Sequence, residues 1–158
     1  MNEDAAQNPG PVTHILSSLI ERSGALTALL VSKEGMVITE AGDTSYLNTT
    51  AMAALVAGMF SATREVARIV GEKHFSILLQ QGESRHIHIS LIHDSKMMVL
   101  IFEDHQRIGL VRYEARRAGE ELNSILMPTL KPSEAEQIST PQFKEYALNL
   151  IDRIFQAK

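Results

Sequence analysis

Residues 98–102 read MVLIF, five apolar side chains in a row, and after a short charged turn the chain continues into IGLVR at 108–112. An apolar strand with no polar alternation must be covered on both faces, so it belongs at the centre of a sheet with a layer above and a layer below. The segment that follows is an amphipathic helix beginning near Arg107 or Leu110 and running to about Leu126, with Val111, Ala115, Ala118, Leu122 and Ile125 as its core stripe. A strand buried on both sides, leading directly into a covering helix, leaves few architectures other than a layered α/β sandwich.

The remaining elements fit that frame. Pro11 is suited to open a first helix, where its missing N–H costs nothing. Val12, Ile15, Leu16, Leu19 and Ile20 follow the spacing of one buried face, and Gly24 stands where a left-handed C-terminal residue is wanted. ALTALLVS (25–32), a Lys33-Glu34-Gly35 turn and MVITEA read as a hairpin. The longest helical signal spans 48–70, with Asn48 or Thr49 as its cap, Leu47 as a hydrophobic staple and Gly71 as its end. Three strands follow at Phe75–Gln80, Arg85–Ile92 and Met97–Phe102. In the middle one Ile87, Ile89 and Leu91 share one face, while His86, His88 and Ser90 share the other. The order α-β-β-α-β-β-β-α, with tight turns between consecutive strands, predicts a five-stranded antiparallel sheet with helices on both faces.

Flanking segments differ in composition. Residues 1–10 are polar and acidic, unlike a signal peptide, and are expected to be disordered. The domain spans 11–126. MPTLKPSEAEQIST, with two prolines, reads as a linker over 127–139 that spans on the order of 30–40 Å when extended at about 3 Å per residue. Thr140-Pro141 then opens a tethered C-terminal amphipathic helix, 140–158, with Phe143, Tyr146, Ala147, Leu150, Ile151 and Ile154 on one face.

Several chemistries are unsupported. The chain has no cysteine, which removes disulfides and Cys-ligated zinc. Its net charge of −4 argues against a nucleic-acid-binding module, and no apolar stretch approaches the roughly 18 residues of a membrane span. The phosphate-cradling G-x-x-x-x-G-K-[ST] pattern and the G-x-S-x-G elbow are both missing. Glu120-Glu121 reads as a solvated helix exterior. His86 and His88, two apart on a strand, could chelate a metal with His93 nearby, but no carboxylate stands at a diagnostic spacing; lining a polar sheet face beside a helix is the plainer role. No cofactor or metal is therefore expected. Arg64, Arg68, Arg107 and Arg112 are each candidates for an inserted arginine that stabilises the charge developing in phosphoryl transfer, but a surface ion pair is the commoner role for each.

The long helix has the least ordinary composition. Ala53, Ala57 and Ser61 form one line of small residues, and Ala54, Gly58 and Ala62 form an adjacent one. A glycine in mid-helix costs about 1 kcal/mol relative to alanine, which the close approach of another backbone would offset. That backbone is either the chain's own sheet or a second helix. Because Met52, Leu55, Met59 and Phe60 also need burial, the helix is expected to pack on more than one side, with a symmetric partner supplying the second.

LNTTAMAALVAGMFSATREVARIVGEKHF (47–75) and FEDHQRIGLVRYEARRAGEEL (102–122) resemble the roadblock/LC7 domain family, in particular its MglB-type regulators of bacterial Ras-like GTPases; LLVSKEGMVI (29–38) adds a weaker likeness. The resemblance covers 11–126. It implies a roadblock/LC7 fold, and a cytoplasmic homodimer whose sheets join edge to edge and whose long helices lie side by side. It implies an MglA-type GTPase as partner, with a role in cell polarity or motility and placement at a cell pole. Such regulators are not enzymes themselves and supply no arginine; they order the GTPase's own switch residues. The resemblance therefore makes Ala57, Ser61, Ala62, Arg64, Glu65 and Arg68 partner-binding residues, with Phe143, Tyr146, Leu150 and Ile154 anchoring the final helix in a partner groove. MglB-like chains often carry a small residue where this helix has Arg64-Glu65, a departure that bears on the partner face. The rival readings are a non-catalytic scaffold of the same fold and a metal-dependent hydrolase built on His86 and His88.

Overall fold

The computed structural model describes residues 10–126 together with Asn149, Asp152 and Arg153. The chain divides into two units, Met1–Ile125 and Leu126–Lys158. In the second, Asn149, Asp152 and Arg153 are helical and exposed; Phe143, Tyr146, Leu150 and Ile154 lie outside the described residues, as do the linker at 127–139 and residues 1–9.

The first unit begins with α1 (Pro11–Ser23), which closes on Gly24 in the left-handed conformation, its N–H donating to the Ile20 carbonyl at 2.9 Å. The hairpin β1 (Thr27–Ser32) and β2 (Val37–Gly42) follows, then α2 (Thr49–Val70). Asn48 caps α2 by accepting the Ala51 N–H at 3.0 Å, and Gly71 ends it. Between hairpin and helix, the Asp43 carboxylate accepts the Ser45 hydroxyl and N–H, which lower its pKa below the usual carboxylate value. Next come β3 (Ile77–Gln81), β4 (His86–Ile92), β5 (Lys96–Phe102), a single 3₁₀ turn at His105–Arg107 and α3 (Ile108–Leu126).

The sheet order is β2-β1-β5-β4-β3, antiparallel throughout. Consequently β5, with its MVLIF run, is the middle strand, and every residue from Met97 to Phe102 is buried. The two faces sort by alternation. Leu29, Val31, Ile89, Met97, Val99 and Ile101 pack beneath Ala53, Val56, Ala57 and Phe60 of α2. The opposite face carries Ala28, Leu30, His86, His88, Met98, Leu100 and Phe102, the side on which α1 and α3 lie. Arg22 at the end of α1 meets the buried Glu114 of α3 at 3.0 Å, tying those two helices together.

The helix α3 runs along β4. A side chain at Gly119 would come within 3.1 Å of Ile92 Cδ1, at the strand's end. Ile125 lies six residues farther on, about 9 Å at 1.5 Å per residue, and so passes beyond the strand. It is accordingly exposed, and the core stripe of α3 stops at Leu122 rather than at Ile125.

Gly42 shows where the backbone tolerates nothing larger. Its φ is +81°, and a Cβ there would collide with the Leu26 carbonyl oxygen and press on Ile20. Gly71 has the same left-handed φ, +82°, but open space around it. Gly42→Ala is expected to lower stability by about 3 kcal/mol, the conformational cost plus the collision, and Gly71→Ala by about 1 kcal/mol. Urea denaturation of the two variants side by side separates these terms; equal losses would mean that the hairpin end relaxes away from Leu26.

Candidate functional site

With one face on the sheet, the 22 residues of α2 leave the other face open. The line Ala53–Ala57–Ser61 turns toward the chain's own hairpin. A Cβ at Gly35, in the β1–β2 turn, would lie 3.1 Å from the Ala54 Cα and 3.5 Å from both the Ala53 oxygen and the Ala57 Cβ. That turn is the backbone whose approach the small residues permit. Ala57, expected on the partner face, is therefore buried in this chain's own core. The adjacent line is different: around Gly58 there is nothing within 4 Å, and Ala54 and Ala62 are exposed.

Ala62 belongs to a longer outward stripe. Ala51, Leu55, Gly58, Ala62, Val66 and Ile69 recur at spacings of four and three, the pattern of a helix seam. Leu55 is 67% exposed and Ile69 79%, with Val66 and Val70 also open. The chain then passes through Phe75 into β3, a sheet edge on which Ile77 and Leu79 are exposed too. This edge contains neither lysine nor proline, so nothing in it discourages pairing with a further strand. Spacing along α2 marked Leu55 as needing burial; Val66, Ile69, Val70 and the apolar edge were missed there, although their positions opposite the buried stripe were a readable signal.

The charged candidates sit to one side of this stripe. Arg64 donates to the Asp94 carbonyl at 3.1 Å, and with Ser61 it borders a cavity of about 370 Å³ that also presents Lys33, Glu34 and Lys96. Glu65 and Arg68 form an exposed pair at 2.8 Å one turn on. The structure thus brings Ser61 and Arg64 together, keeps Glu65 and Arg68 paired to each other, and sets Ala62 on the apolar seam. Of the other candidate arginines, Arg107 pairs with Asp104 at 3.5 Å.

On the opposite sheet face His86 and His88 are both almost wholly buried, 2% and 1% exposed. The His86 ring lies against Phe102, centroids 5.2 Å apart. All four imidazole nitrogens lack a hydrogen-bond partner among the described residues. Burial, followed by the nearby Arg112 charge, pushes the His88 pKa down to about 4, so its ring is neutral at pH 7. Among the described residues no three His, Cys, Asp or Glu side chains converge, leaving the two histidines without a third ligand. No helix among these residues is long and apolar enough to cross a membrane.

Comparison with known proteins places this architecture. The Roadblock/LC7 domain model matches residues 12–102. The solved structure of Myxococcus xanthus MglB is 27% identical with a TM-score of 0.74, covering 77% of this chain and 99% of that protein. The gliding protein MglB of Thermus thermophilus is 26% identical with a TM-score of 0.68, covering 75% and 93% respectively. A further MglB, solved in a tetrameric arrangement, is 25% identical at 0.67, covering 75% and 92%. No curated protein matches the sequence. With a five-stranded β2-β1-β5-β4-β3 sheet between α2 on one face and α1 and α3 on the other, and the family model spanning more than half its length, the chain is a member of the Roadblock/LC7 family with MglB-like structure.

Proposed function

We propose that this protein is a homodimeric, non-enzymatic regulator that stimulates GTP hydrolysis by a Ras-like GTPase of the MglA type, and that it serves bacterial cell polarity or motility in the cytoplasm. The observation that carries this reading is the correspondence with MglB from two organisms, 77% and 75% of this chain matching 99% and 93% of theirs. The exposed seam of α2 and the unprotected β3 edge supply a self-complementary surface. Two copies joined there pair β3 with β3 and set α2 beside α2, burying Leu55, Val66 and Ile69. The MglB solved as a tetramer supports assembly as a habit of such chains.

Arg64 and Arg68 act in this scheme as docking groups rather than inserted arginines. One is held on the Asp94 carbonyl and the other on Glu65, so neither is extended toward a nucleotide. Stimulation then comes from preferential contact with the GTPase conformation whose switch residues are ordered. Ser61 and the Glu65–Arg68 pair lie on the same platform, beside the seam that holds Ala62. Residues 127–139 tether the final helix, with Phe143, Tyr146, Leu150 and Ile154 anchoring it in a groove of the GTPase.

Single-turnover GTP hydrolysis by a cognate MglA-type GTPase, with and without this protein, tests the reading. An acceleration of at least tenfold is expected, saturating at two chains per GTPase. Binding that ignores nucleotide state and leaves hydrolysis unchanged would replace the activator with a scaffold.

A further inference from the structure

A second cavity lies on the sheet face opposite α2, under the first half of α3. It measures about 580 Å³, within the range of small-molecule sites, and is lined by Ser76, Ile77, His88, Ser90, Arg112 and Tyr113, among others. Its polar groups are unspent. The His88 ring is 1% exposed with neither nitrogen bonded, and the Ser90 hydroxyl is likewise buried without a partner. Buried polar atoms are nearly always satisfied, so these two groups beside one cavity are free to bond a polar group that enters it.

The charge around them gives that partner's sign. Arg112 and Arg116 stand one helical turn apart on α3, and no acidic side chain lines the cavity. Among the described residues Arg112 has no ion-pair partner, whereas Arg116 meets Glu120 at 3.6 Å in a pair that is open to solvent. Two guanidinium groups, a hydroxyl and a neutral imidazole able to donate suit a doubly charged oxyanion. Ile77, Ile92 and Ala115 with the Tyr113 ring form the apolar remainder. A bare ion would leave that wall unused, so the ligand also has an organic body.

We propose that the cavity between α3 and the β3–β4 edge binds a small organic phosphate monoester, its phosphate held by Arg112, Arg116 and Ser90 against His88 and its body on Ile77 and Tyr113. The site is built from one chain and does not depend on the GTPase reading.

Phenyl phosphate, inorganic phosphate and phenylacetate, titrated into the full-length protein and followed by calorimetry and by the imidazole NMR signals, provide the test. Phenyl phosphate is expected to bind saturably, at least tenfold more tightly than either of the other two. It is also expected to raise the His88 pKa, because a bound anion offsets the Arg112 charge. Arg112 is exposed, so Arg112→Ala should fold normally; it should weaken phenyl phosphate at least tenfold and remove the effect on His88. Absence of saturable binding, equal affinity for phenylacetate, or unchanged binding by Arg112→Ala would each overturn the assignment.

Discussion

Leu55→Asp combined with Ile69→Asp should turn the proposed dimer into a monomer, seen as a halving of mass in sedimentation equilibrium or light scattering. Both side chains are more than two-thirds exposed within one chain, so neither change removes a contact of the fold, and the circular dichroism spectrum should stay the same. Their cost falls on association. Burying an aliphatic side chain contributes about 1.5–3 kcal/mol, and a two-fold interface counts each change twice. Four lost burials amount to at least about 6 kcal/mol, or roughly a 10⁴-fold weaker dimer. Placing carboxylates in an apolar seam adds to that. If the variant keeps the wild-type mass at micromolar concentration, α2 does not form the interface and the edge-to-edge dimer is wrong.

The same residues show what could be read along the chain and what could not. Alternation in RHIHISLI placed Ile87, Ile89 and Leu91 opposite His86, His88 and Ser90, and the register with β5 has that arrangement. Period-two patterning is local, so it survives whatever packs on top. Helical spacing likewise sorted α2 into two small-residue lines. Which line faced the sheet was beyond it, because that depends on Gly35 pressing on Ala53, Ala54 and Ala57 from a turn some twenty residues away. Ala57 was consequently assigned outward and lies inward. Ile125 failed for a related reason: its spacing is correct, but β4 ends before the helix does.

In the sequence His86 and His88 stand out only as a spaced histidine pair, and of the two only His88 lines the cavity. The companion that gives His88 its setting is Arg112, some two dozen positions downstream on another element. Nothing local joins them; α3 lying along β4 does. The fold was legible because each element carries its own period, whereas the cavity is a property of two elements together. Its one histidine, His88, also makes it a determinant of stability.

Acidification should expose that role. The His88 pKa is about 4 in the folded chain against an ordinary 6.5, so the unfolded chain binds the proton first. Above pH 6.5 both states are neutral at this residue and the full stability is present. As pH falls from 6.5 toward 4 the unfolded state gains a proton that the folded state refuses, and stability drops with it. A gap of about 2.5 units at 1.36 kcal/mol each gives a loss of about 3 kcal/mol across that window. The charges that face His88 come from Arg112 and Arg116 on α3, with His86 titratable on the same strand; its cross-strand neighbours Leu79 and Leu100 carry none. His88→Leu removes the titrating group and two unpartnered nitrogens while keeping an apolar side chain beside Leu100. Its urea-denaturation free energy should therefore fall less than that of the wild type between pH 6.5 and 4, the two differing by about 3 kcal/mol over the window. Parallel curves would show that His88 is protonated freely in the folded chain.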